Sequence, residues 1–197
     1  MSGDEDDDLD GWDFDPEIAR LVSRFLDAAA NVQWFAHIGE TLTPALRCDA
    51  AAYADALGFP EAGLARITNW REAARAAESR DLDAPAFEAE EQLRAALTAA
   101  AIDRHGEEPV EVLLTHAAAV LGPIVLEAAQ NAVAVWGVKS KSLTNAAAGA
   151  GVRACHNAAL LLIAGEGDEE HPFAILFRMF EQGRWPVGIT GASFNLF

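Results

Sequence analysis

The chain has 197 residues, 51% of them hydrophobic and 23% charged, with a formal charge of −17. Apolar surface on this scale can fill one buried core, which excludes collagen-like, disulfide-scaffold and generally disordered chains. The acidity repels phosphate backbones and anionic membrane surfaces, so it argues against nucleic-acid and membrane partners and favours a basic protein.

Residues 1–14 read as an acidic tail: residues 1–15 hold eight acids and no base. Asp15 then caps a first helix, with Pro16 in its first turn and Glu17 at the positive end of the dipole. Apolar residues from Ile18 to Phe35 step by three and four, which predicts an amphipathic helix of about six turns. Thr43-Pro44 opens a second helix closed by Gly58. Pro60 opens a third that carries Leu64, Ile67, Trp70 and Ala74 on one stripe. Pro85 opens a fourth, with Phe87, Leu93 and Leu97 inward and Glu90 and Arg94 one turn apart.

Pro109 and Pro123 begin two consecutive apolar segments, broken or kinked at Gly122-Pro123. Thr144 caps a seventh helix through Ala164, and His171-Pro172 opens a last short one to Glu181. From Gly183 the pattern becomes β-prone around Thr190-Gly191, as in a terminal hairpin. The expected architecture is an all-α, single-domain bundle of about eight helices spanning 15–182. Residues 183–197 form an aromatic, hairpin-like segment docked on it or presented by it.

Cys48 and Cys155 fit no metal or redox spacing, and each reads as a small core residue of a reducing compartment. No basic region followed by an apolar run opens the chain, so a cytoplasmic location is expected. The two most apolar stretches, Val112–Leu126 and Ala146–Ala164, read as core rather than as membrane spans. The first is short and contains Gly122-Pro123; the second contains Arg153, His156 and Asn157. The chain has 42 alanines, 12 arginines and 2 lysines, the usage of a GC-rich genome, so a bacterial source is expected.

Three constellations have chemical meaning. Asp6-x-Asp8-x-Asp10-Gly11-x5-Glu17 resembles an EF-hand loop over twelve residues, with the Trp12 carbonyl as a further oxygen ligand. It lacks an entering helix and has Pro16 just before the last ligand, so it reads first as an acidic tail ending in a cap. Calcium is the only cofactor the sequence brings forward; otherwise none is expected. Second, Glu127 and Asn131 share a helical face, as do Arg153, His156 and Asn157. Buried together, with His116 nearby, they would form a structural ion-pair network; with Trp136 they would line a small-molecule pocket. Third, Gly149-x-Gly151-x-x-Ala154 has dinucleotide-loop spacing but follows no strand, so it reads as small residues at a helix crossing.

The functional expectation is a non-catalytic module that binds a basic protein, such as an inhibitor or immunity-type protein. Asp6, Asp7, Asp8 and Asp10 would steer the encounter, and Trp185 and Phe194 would anchor it if the terminal segment is presented. A sensor or enzyme with a pocket around Glu127, Arg153 and His156 is the alternative. Self-association stays open.

Overall fold

The computed structural model describes residues 15–79 and 85–197. Its elements run α1 (Pro16–Ala30), α2 (Pro44–Ala56), β1 (Gly63–Arg66), α3 (Trp70–Glu78), α4 (Pro85–His105), α5 (Glu107–Val135), α6 (Lys141–Ala164), α7 (Pro172–Glu181), β2 (Pro186–Thr190) and β3 (Ser193–Leu196). The described residues are 68% helical, in seven helices rather than about eight.

Local chemistry sets most starts. The Asp15 carboxylate accepts the Glu17 N–H at 2.9 Å, and the Thr43 hydroxyl accepts that of Leu46 at 3.2 Å. Each cap occupies a backbone donor that has no partner inside the helix. His171 does the same for α7, its Nδ1 accepting the Phe173 N–H at 3.1 Å. Proline occupies the first turn of α1, α2 and α7.

Cys48, expected as a core residue, is exposed on α2. Four further expectations are corrected. The first helix stops at Ala30, although the three-and-four spacing runs on. Trp34 and Phe35 are buried, but from a turn in which Phe35 has φ +60°, a left-handed conformation that a helix cannot contain. The segment after Pro60 is not helical: residues 63–66 form β1, and α3 starts only after Asn69, whose side chain accepts the N–H groups of Arg71 and Glu72. Pro123 does not break the apolar segment: α5 is one helix of 29 residues that contains the proline, which is exposed. The last long helix is capped by Ser140, not Thr144, whose hydroxyl instead donates to the Ser140 carbonyl one turn back.

The core is built around α6. Fourteen of its residues are buried, and α5, α4, α7 and α1 pack around it. Gly151 permits the closest approach: a Cβ there would lie 2.6 Å from Val125 Cγ1 of α5. Gly149 has open space instead, so only one of the two paired glycines marks the crossing. A smaller cluster joins α2, α7 and β3 through Leu46, Tyr53, Met179 and Phe194.

The terminal hairpin forms, and β1 extends it. The sheet order is β1-β3-β2, so β3 is central. It pairs in parallel with β1, Gly63 opposite Ser193 through Arg66 opposite Leu196, and antiparallel with β2. Trp185 and Phe197 exchange both backbone hydrogen bonds, at 2.8 and 2.9 Å. Beside them Arg184, 3% exposed, donates to the carbonyl oxygens of His37, Glu40 and Thr41. This guanidinium joins the loop after α1 to the start of the sheet. Burial lowers its pKa from the usual arginine value, against the pull of Glu40.

Unbroken at Pro123, α5 is long and apolar enough to cross a membrane, and so is α6. Burial separates the two: 61% of the most apolar window of α6 is buried, as in a core helix, against 28% for α5.

Candidate functional site

The residues singled out in the sequence are distributed over several places. Asp6, Asp7, Asp8, Asp10, Gly11 and Trp12 lie outside the described residues, while Glu17 is exposed in the first turn of α1. Trp185 and Phe194 are 2% and 1% exposed, so neither is available as a surface anchor. Trp185 packs on Trp70 and Phe197, and Phe194 on Tyr53.

The expected polar cluster divides. Glu127 and Asn131 are exposed on α5, and His116 is half-buried there. Arg153, His156 and Asn157 belong instead to a seam between α6 and α4. Arg153 lines a small cavity of ≈ 20 Å³ with Tyr53 and Glu90, room for about one water molecule. Glu90 is 7% exposed and accepts the Tyr53 hydroxyl at 2.6 Å. One turn along α4, Arg94 pairs with Glu91 and donates to Asn157 Oδ1 at 3.0 Å. Burial lowers the His156 pKa below the usual histidine value, and the Arg94 charge adds to that effect.

Tyr53, Glu90 and Arg94 therefore face the polar side of α6, although Arg94 Nη2 and Asn157 Nδ2 stay buried without a hydrogen-bond partner among the described residues. The sequence signal was the Glu90/Arg94 spacing, which looks like an exposed helical pair when α4 is considered alone. Cys155 on the next face of α6 is buried, which pushes its thiol up to about 12 and leaves it protonated at neutral pH. Among the described residues no group of three metal-ligating side chains converges.

Two surfaces stand out against this closed interior. The first is on α5, where Ala118, Ala119, Pro123 and Leu126 are exposed on one side of the helix and Val135 is exposed at its end, about half a turn round the axis from Leu126. Leu126, Val135 and Trp136 are the exposed large hydrophobics among the described residues. The second is a cleft of ≈ 700 Å³ between α3 and the α5–α6 connection, lined by Trp70, Arg71, Arg75, Trp136, Ser140 and Leu143 among others. Trp136, expected beside Arg153, stands at this cleft instead. Its ring lies 5.8 Å from that of Phe197 and against Gly39, where a Cβ would come within 2.9 Å of it. It is held in place yet 42% exposed.

Glu72, on the same wall, accepts the Thr68 N–H at 2.8 Å and the Thr68 hydroxyl at 2.9 Å. These bonds lower its pKa below the usual carboxylate value, the backbone bond most strongly. The chain matches no protein-family model, no curated protein and no solved structure.

Proposed function

We propose that this protein is a non-catalytic binding module for a basic protein, and that α5 provides the contact. The observation that supports this is the outward face of α5. A helix this apolar tends toward a core, yet only 28% of the most apolar window of α5 is buried. Leu114, Val120, Ile124 and Ala128 are half-buried against the core, while Ala118, Ala119, Pro123 and Leu126 are exposed. Exposed apolar residues grouped on one element mark interaction surfaces. Leu126, beside Ala119 and Pro123 on the same side of α5, replaces Trp185 and Phe194 as the main apolar anchor, and Val135 is a separate contact at the helix end.

Charge favours the partner class. The helix contains Glu107, Glu108, Glu111 and Glu127 and no lysine or arginine. Helices that lie on membranes carry Lys and Arg on their polar side, so this one suits a cationic protein better than a lipid surface. Eight acids in residues 1–15, Asp6, Asp7, Asp8 and Asp10 among them, add long-range attraction that raises the encounter rate. Covering a cationic site in this way is the action of an inhibitor or immunity-type protein.

The test compares the wild type with L126E/V135E in affinity capture at low and high salt. Both substitutions are on exposed positions, so circular dichroism should show the same fold. The expected outcome is that the wild type retains basic proteins at low salt and the variant does not. Identical capture by the two proteins would remove α5 from the interface.

A further inference from the structure

The chain is acidic overall, yet four of its 14 cations stand at or beside the cleft next to α3. Arg71 and Arg75 stand one helical turn apart on its wall, both exposed. Neither guanidinium holds a hydrogen bond or ion pair among the described residues, although Arg75 lies near enough to Glu72 to favour its ionised form. Both lysines of the chain, Lys139 and Lys141, flank Ser140 at the opposite wall, and both are exposed. Glu72 is the one acid among the lining residues, and its Oε2 accepts both the Thr68 N–H and the Thr68 hydroxyl.

The remaining surface is aromatic and aliphatic. Trp70 and Leu143 line it, and Trp136 offers an exposed portion of a ring already fixed by Phe197 and Gly39. At ≈ 700 Å³ the cleft falls within the range of small-molecule sites, about 300–1,000 Å³. Unpaired guanidinium forks bind planar carboxylates through two parallel hydrogen bonds. A fixed indole binds a flat ring by stacking, at low entropy cost.

We propose that this cleft is a binding site for a small aromatic carboxylate. The carboxylate lies against Arg71 and Arg75, and the ring lies against Trp136. Lys139 and Lys141 raise the local concentration of anions at long range. The site does not depend on the α5 interface, because Leu126 and Val135 do not line it.

Isothermal titration of the full chain with 2-naphthoate, 2-naphthamide and inorganic phosphate tests the assignment. The expected result is that naphthoate binds with a dissociation constant below about 1 mM. The neutral amide should bind at least about tenfold more weakly, since one charge-assisted hydrogen bond is worth that factor. R71Q/R75Q, with both changes on exposed positions, should lose a similar factor for naphthoate and leave the circular dichroism unchanged. Trp136→Phe should keep binding, while Trp136→Ala weakens it. No naphthoate binding, equal binding of acid and amide, binding unchanged in R71Q/R75Q, or phosphate binding as tight as naphthoate would each overturn the proposal.

Discussion

Gly149 and Gly151 look alike in the sequence, two small residues in one helix, yet they should respond to substitution in opposite directions. A methyl group at 151 meets Val125 Cγ1 at 2.6 Å, and Val125 is fully buried. Gly151→Ala should therefore cost about 1–3 kcal/mol through overpacking. At 149 nothing lies within 4 Å, so Gly149→Ala should gain about 0.5–1 kcal/mol from restricting the unfolded chain and improving helix propensity. Urea unfolding midpoints measure both; changes of the same sign would contradict the crossing geometry. At this scale the sequence revealed that a close approach exists, but not which glycine makes it. Capping by Asp15 and Thr43 was legible because donor and acceptor are two or three residues apart. Arg184 was not, because its partners are backbone carbonyls more than 140 positions away, and a carbonyl has no residue type to recognise.

Single elements were legible where their own residues determine them and obscure where a distant partner does. The apolar spacing after Val32 is helical in period, but Phe35 in its left-handed conformation reaches the core from a turn. β1 has four residues and exists through its pairing with β3, some 130 positions later, so nothing within Gly63–Arg66 announces it. The sequence set Glu127 and Asn131 against the polar face of α6, whereas the structure places Glu90 and Arg94 of α4 and Tyr53 of α2 there. That seam gives a pH dependence whose sign follows from His156. Burial holds its folded pKa below the unfolded value, near 6.5, and Arg94 from α4 reinforces the shift. As pH falls through that value the unfolded chain takes up the proton first, so stability should decline toward the folded pKa. His171 shifts in the same direction, by burial against the pull of Glu166 and Asp168, so it supplies a parallel share of the decline. His156→Gln should therefore lose less stability than the wild type between pH 7.5 and 5.5 in urea titrations. Equal losses would show that His156 is not protected from protonation in the folded state.

For the whole molecule, the decisive feature is that the last strand of the chain is the middle strand of its sheet. Removing residues 193–197 leaves β1 and β2 without their common partner. It also removes the Phe197 ring, which lies 5.1 Å from Trp70, 5.8 Å from Trp136 and 6.4 Å from Trp185. Phe194, Leu196 and Phe197 are each at most 1% exposed, and burying three such side chains contributes about 5–9 kcal/mol. That is comparable with the entire net stability of an ordinary domain, about 5–15 kcal/mol. The helices around α6 retain most of their contacts, since α5, α4 and α1 reach it without the sheet. The truncated protein should therefore keep most of its far-ultraviolet helical signal while losing near-ultraviolet aromatic circular dichroism and cooperative thermal unfolding. Those are the features of a compact chain without fixed side-chain packing. Tryptophan emission should shift to longer wavelength as Trp70 and Trp185 gain access to water. An intact near-ultraviolet spectrum after truncation would show that the helical body orders these rings by itself. The cleft beside Trp136 would then owe its shape to α3 and the α5–α6 connection and not to the terminal strand.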